Sequence, residues 1–427
     1  MLPFLHVPMD VAQQGYVQAR AEERIRTGND VTAEETELYP QIRYDLIGKG
    51  GQNHFVAIYN PRFVYTHTFS RPTIDPRVVN PATLNTSDPN NTPLSALHNG
   101  GLGFEMVRPR YRLTLYQFGA YGPITTTSLL IQAPWGGDGA PADPPPIIPS
   151  TIASRFTLLF LQTQAFLPIR LSRRVSLTPG FVYNAFGGAN SASRGVLALT
   201  AGPGASVALE AAASRDDRFV STVGAGRVTT AFEGDRTGAI IYRAEATQSW
   251  RHSYTRHVAT ELSGGASVAG DDINGFSVYS LASAGMFYDS YPFFRQEVGA
   301  PPQGGPPGRG DRLQVALVVK AAPWLDLFSG EVEQRAVGIA AANYTIGKTT
   351  LRVQVASAKV FNTSRSVAKY TTVQTDTSLR YQLVPTFFVE GGVRYGFQDI
   401  ANAIRTNELS QTTGYAGLTW QPLPARF

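Results

Sequence analysis

The chain has 427 residues, no cysteine, a net charge of +5 and only 16% charged side chains, against about 25% in a typical soluble domain. A mean hydropathy of −0.12 excludes a polytopic helical membrane protein, which needs apolar runs of about 20 residues. The aromatic content of 11% excludes a disordered chain. Without cysteine there is no thiolate nucleophile, Cys-ligated zinc or disulfide, and the small basic excess is no nucleic-acid footprint.

The start, MLPFLHVPM, has no basic n-region and too short an apolar stretch for a secretory signal. The expectation is a signal removed before this numbering begins. Residues 1–38 carry a block of charges, with helix formers from Val11 to Arg26 and a stop at Gly28 and Asn29. That predicts a short surface helix or a mobile N-terminal arm, placed in the periplasm or as a plug, ahead of a second unit over 39–427.

From residue 40 the apolar period becomes 2. In 239–250, Ile240, Tyr242, Ala244, Ala246 and Trp250 alternate with Arg243, Glu245, Thr247 and Ser249. Next, Val258, Thr260, Leu262, Gly264, Ala266 and Val268 stand opposite His257, Glu261, Ser263 and Ser267. Farther on, Leu379, Tyr381 and Leu383 face away from Asp376, Ser378, Arg380 and Gln382. Beyond Val384-Pro385-Thr386, Phe387, Val389, Gly391, Val393, Tyr395 and Phe397 oppose Glu390 and Arg394. Such alternation is the strand signal. Similar stretches fall near 41–48, 54–69, 101–121, 155–166, 174–187, 195–213, 219–232, 276–290, 312–321, 324–345, 349–361 and 409–420. Pro- and Gly-rich connectors at 70–99, 122–151 and 292–311 cannot sit inside a ladder. Gly202-Pro203-Gly204 argues against a helix over 195–213.

A soluble sandwich turns a heavily charged face to water. Here the polar face is rich in Ser, Thr, Gln, Arg and Glu and poor in Lys, while aromatics gather near strand ends. A transmembrane barrel has this pattern: apolar residues face lipid, polar residues face a wet interior, and aromatic girdles mark the interfaces. The interface aromatics are Trp250, Trp324, Tyr395 and Trp420. At about 22–25 residues per strand and connector, the fold class is all-β, a single antiparallel transmembrane barrel of about 16–18 strands. A barrel that wide leaves an aqueous channel unless something plugs it.

The end of the chain, LSQTTGYAGLTWQPLPARF, closes on an alternating stretch and Phe427. It resembles the outer-membrane β-barrel proteins of Gram-negative bacteria, whose last strand ends in an aromatic residue read by the assembly machinery. The chain departs from that pattern at Pro422 and Pro424, which place the strand end near Trp420. The resemblance implies outer-membrane localisation and a porin-like channel. It also implies partners: outer-membrane lipid and lipopolysaccharide, the barrel-assembly machinery and a periplasmic export component. A weaker likeness is to barrels that pass secreted polysaccharide.

The projected lumen carries Arg112, Arg243, Arg352, Arg380 and Arg394 with Glu245, Glu261, Asp376 and Glu390. Mixed charges suit a general pore, and selectivity then comes from its narrowest ring. Arg108, Arg110 and Arg112 share a parity, which predicts a ladder for anions or acidic sugars, or three arginines paired across the lumen. No cofactor, metal set or nucleic-acid partner is expected, and no enzyme activity. Two rival classes are carried: a barrel lipase or protease built on Ser253, His252 and Asp271, and a soluble carbohydrate-binding protein or adhesin. Gly347-Lys348-Thr349 lacks the phosphate-loop glycine at Ala342. The Arg309-Gly310-Asp311 tripeptide and the sequons at Asn85, Asn90, Asn343 and Asn362 carry no argument.

Overall fold

The structure is a computed structural model that describes residues 12–28, 31–48, 52–68, 94–125, 155–195, 197–232, 238–271, 275–290, 311–325, 332–363, 369–401, 406–422 and 425–426. Its first strands are β1 (Ala12–Gly28), β2 (Val31–Ile47), β3 (Asn53–Tyr59), β4 (Arg62–Thr68), β5 (Leu94–Val107), β6 (Arg112–Thr125) and β7 (Arg155–Phe166). Then come β8 (Ile169–Arg170), β9 (Val175–Gly188), β10 (Leu199–Ala212), β11 (Asp217–Ala231), β12 (Ile240–Ser253), β13 (Val258–Asp271) and β14 (Gly275–Asp289). The last are β15 (Arg312–Leu325), β16 (Val332–Ile346), β17 (Thr349–Thr363), β18 (Lys369–Val384), β19 (Phe387–Ala401), β20 (Thr406–Trp420) and β21 (Ala425–Arg426).

Each long strand pairs antiparallel with its sequence neighbours, and β1 pairs with β20 from Ala19↔Trp420 to Thr27↔Thr412. The sheet therefore closes on itself as a single antiparallel barrel of 18 strands. β3 and β4 share one position between β2 and β5. β8 extends the β7 position, and β21 pairs with Gln14 and Gly15 beyond the end of β20. Closure leaves no unpaired edge for lipid to meet.

Registered residues on neighbouring strands share a face, so the two faces can be followed around the wall. The outward set includes Leu102, Val207, Val223, Tyr242, Leu262, Val278, Val319, Leu379, Val393 and Leu418, all exposed. From β10 to β20 the described outward charges, Asp217, Arg227, Lys359 and Asp399, stand toward strand ends. One aromatic row, Phe219, Trp250, Tyr288, Tyr381, Phe387 and Trp420, follows the rim where most turns are tight. A second, Tyr65, Tyr121, Tyr242, Phe276 and Tyr395, lies toward the other rim. Trp250 and Tyr242 are eight positions apart on β12, and Phe276 and Tyr288 twelve apart on β14. At about 3.3 Å per residue and a tilt of about 40°, that is roughly 20–30 Å of height, matching an outer-membrane apolar band of about 25 Å.

The first 38 residues correct the sequence reading. Residues 12–28 and 31–47 are neither helix nor arm but barrel strands paired along their length; residues 1–11 lie outside the described residues. Their charges alternate. Arg20, Glu22 and Arg24 face inward, while Ala19, Ala21 and Ile25 face outward. The helix formers settle into strands because ion pairs inside the barrel satisfy the inward charges. Gly202 and Pro203 lie within β10, and pairing to β11 skips them; Pro203 has no N–H to donate. Trp420 ends β20 as expected, and Phe427 lies outside the described residues.

Candidate functional site in the barrel lumen

The inner wall is charged on the side where the barrel closes. Glu22 and Glu37 on β1 and β2 are fully buried. Glu22 is bonded by Arg20 and by Arg24 Nε. Arg24 Nη1 donates to Glu37 Oε1 at 3.0 Å, and its Nη2 to the Tyr39 hydroxyl at 3.0 Å. Arg62, at the start of β4, donates Nε to Glu37 Oε2 at 3.2 Å and pairs with Oε1 through Nη2. Its guanidinium lies 5.7 Å from the Tyr39 ring centroid. On β2, Asp45 accepts from Arg43 at 2.8 and 2.9 Å and meets His54 Nε2 at 2.8 Å. Removing ions from water is costly unless partners replace the hydration, and here they do.

The network crosses the closure. Arg20 Nη2 lies 3.9 Å from Glu390 on β19. Arg394 Nε donates to Asp376 Oδ2 at 2.7 Å, the Tyr415 hydroxyl donates to Asp376 Oδ1 at 3.3 Å, and Arg394 stacks 4.4 Å from the Tyr415 ring. Arg380 stands directly across from Glu390 and stacks 4.1 Å from the Phe388 ring. Arg352, on the same face of β17, donates to Asn343 Oδ1 at 3.1 Å. Of the nine lumenal charges foreseen from sequence, Arg352, Arg380, Arg394, Asp376 and Glu390 lie near one another on this wall; Arg243 pairs with Glu245 on β12, halfway round the barrel. Glu261 faces Arg251 across the β12–β13 pair.

Three expectations are corrected. Arg108, Arg110 and Arg112 form no ladder. Pro109 follows Arg108 in a tight turn, so Arg108 and Arg110 sit on the rim, and Arg112 pairs with Glu105. Trp324 shares the inward parity of Lys320 and packs 5.1 Å under the Arg335 guanidinium, so it is not an interface aromatic. Trp250, Tyr395 and Trp420 do lie on the outward face. Finally, His252 and Asp271 occupy opposite ends of the β12–β13 pair, roughly 40 Å apart along a strand. His252 Nδ1 instead meets Asp217 Oδ1 at 2.8 Å, beside the Trp250 indole N–H at 3.0 Å. The hydrolase triad is not assembled.

Sequence reasoning missed the connector over 189–198. Asn190 caps a single helical turn, Ser191–Arg194, by accepting from Ser193 N at 2.8 Å. Thr157 N donates to Ser193 Oγ at 2.8 Å, and Gly188 N to the Leu197 carbonyl at 3.0 Å. These bonds fold the connector against the inner wall, where Leu197 is buried with Leu97, Ala120, Phe156 and Leu158. Gly187 permits the entry at φ 141°, with the Ala198 carbonyl where a Cβ would sit, as only glycine tolerates. The lumen thus has a charged wall at the closure and an apolar patch on β5–β7 carrying an inward fold. Among the described residues no three metal-ligating side chains converge.

No family model matches the sequence, and no curated protein matches it. Among solved structures, the chain is similar to OccK7 (OpdD) of Pseudomonas aeruginosa at 8% identity and TM-score 0.48, covering 97% of this chain and 99% of that one. It is similar to the outer membrane protein OpdK of P. aeruginosa at 9% identity and TM-score 0.46, with the same coverages. OpdQ of P. aeruginosa aligns at 9% identity and TM-score 0.46, over 96% of this chain and 99% of that one.

Proposed function

We propose that the chain is a passive channel in the outer membrane of a Gram-negative bacterium, carrying small polar solutes through a wet lumen without a chemical step. The observation that carries this reading is the pair of opposite faces on one closed wall. Outside lies an apolar band between two aromatic rows; inside lie ion pairs and hydroxyls that replace part of a solute's hydration. The rim where most turns are tight, from which the β14–β15 connector also leaves, faces the periplasm, and the rim that joins β4 to β5 and β6 to β7 faces outward, following the usual asymmetry of such barrels. Lipid and lipopolysaccharide surround the band, and the assembly machinery inserts the chain. A periplasmic export component would meet the tight-turn rim.

Detergent extraction with heat-modifiable gel migration tests the barrel, and planar-bilayer recording tests the channel. The expected result is faster migration unboiled than boiled, and stepwise conductance after insertion. A freely soluble protein that migrates identically in both states would overturn the membrane reading. A folded but electrically silent barrel would overturn the open channel.

The inward connector gives a second expected result. Leu197→Asp sets a carboxylate among Leu97, Phe156 and Leu158, where even truncating a buried leucine costs about 2–5 kcal/mol. The connector should leave the wall and single-channel conductance should rise. Conductance equal to wild type would mean that the connector does not narrow the path.

A further inference from the structure

The tight-turn rim is not electrically uniform. Four consecutive turns read RPRY at 108–111, LPIRLSRR at 167–174, ASRD at 213–216 and YTRH at 254–257. They hold many arginines and a single carboxylate, Asp216. At the opposite rim the short connectors lean acidic, as in FEGDRTG, DIN and DLFSGE. The four turns also form one continuous arc. Arg170 N donates to the Arg110 carbonyl at 2.7 Å, Ala212 N to the Arg174 carbonyl at 2.8 Å, and Ser253 N to the Asp216 carbonyl at 2.9 Å.

Arg110, Arg173, Arg174, Arg215 and Arg256 are exposed, and Arg108 is half-buried with one edge spent on the Val107 and Gln52 carbonyls and Asn53 Oδ1. Among the described residues, none of the six makes an ion pair. Like charges gathered in excess of the carboxylates beside them, here Asp216 and Asp217, repel one another unless an outside anion answers them. The arc also begins immediately beyond the aromatic row at Phe219, Trp250 and Tyr288, and turns this short cannot carry their side chains far from it. That is the level of lipid headgroups.

We propose that this arc binds the phosphate groups of anionic phospholipids in the leaflet at the tight-turn rim, and so holds a preferred lipid shell on one side of the barrel. Guanidinium forks match phosphate oxygens in charge and geometry, and basic clusters beside a membrane span recruit anionic lipid. An acidic soluble partner is the competing occupant. The lipid is favoured because the arc hugs the interface along four neighbouring turns. The inference rests on the membrane reading above.

The test purifies the barrel from mixed phosphatidylethanolamine and phosphatidylglycerol vesicles and weighs the lipids retained by native mass spectrometry. Heat-modifiable migration first establishes folding, so a failure of the barrel reading registers separately. Wild type should retain phosphatidylglycerol about fivefold above its share of the vesicle, and less at high salt. Two variants divide the load so that each folds: R108Q/R110Q/R256Q and R173Q/R174Q/R215Q. Each should lose a large part of the enrichment, whereas lumenal R352Q/R380Q should keep it. Retention at the bulk ratio by folded wild type, or undiminished enrichment in both arc variants, overturns the proposal. Salt-sensitive binding of a polyglutamate peptide to wild type without phosphatidylglycerol enrichment overturns it in favour of the soluble partner.

Discussion

Glu37→Ala is expected to cost the folded barrel about 3–5 kcal/mol, the usual loss when one member of a buried ion pair is removed. The size follows from what remains. Glu37 is fully buried and bonds both Arg24 and Arg62, whose side chains are 6% and 3% exposed. Without it, Arg62 loses the carboxylate that it bonds through two nitrogens, and Arg24 loses one of the two that it bonds. A urea midpoint, or the temperature at which unboiled migration is lost, measures the change. Glu245→Ala is the comparison, because its pair with Arg243 is substantially exposed and such pairs contribute only about 0–1 kcal/mol. Equal effects at the two sites would mean that the closure network contributes no more than a solvated pair. Glu37→Leu combined with Arg62→Met should recover part of the loss, since apolar replacement of a whole buried pair is often neutral.

That network also explains what was legible in the sequence and what was not. The barrel was readable because a strand separates its faces every second residue, and β12, β13, β18 and β19 keep that separation cleanly. The expected 16–18 strands include the observed 18. β1 was misread although it alternates too: Ala19, Ala21 and Ile25 against Arg20, Glu22 and Arg24. Its residues favour helices, and its charges read as solvated until their partners at Glu37, Tyr39 and Arg62 are in view. Those partners come from other strands, and spacing within one strand cannot reveal them.

The other errors have local causes. In Arg108-Pro109-Arg110 the proline is itself a turn signal, and counting parity through it produced a ladder that the chain does not build. Trp324 was assigned by its nearness to a strand end, but its parity with Lys320, opposite to that of Leu317 and Val319, turns it inward. The 189–198 connector left no periodic trace. Its inward fold depends on one cap, one glycine conformation and a leucine that finds an apolar patch three strands wide.

Charge reversal at Arg352 and Arg380 should change which ions pass. Both arginines face the lumen on neighbouring strands, and among the described residues neither makes an ion pair. Their neighbours Arg394, Arg24 and Arg62 are matched by Asp376, Glu22 and Glu37, so this pair carries the positive excess of the charged wall. Substituting both by glutamate changes the local charge by four units. An ion passing at about 5 Å feels roughly 0.8 kcal/mol per unit charge in water, about halved by physiological salt. An anion should therefore lose about 1.6 kcal/mol and a cation gain as much, so the anion-to-cation permeability ratio should fall on the order of a hundredfold, and the reversal potential across a salt gradient should move toward the cation limit. Arg227→Glu, on the outward face near a strand end, should leave that potential in place. If the lumenal variant also leaves it in place, the excess charge lies away from the permeation path. Ions would then follow the apolar patch on β5–β7, where Leu197→Asp should alter selectivity as well as conductance.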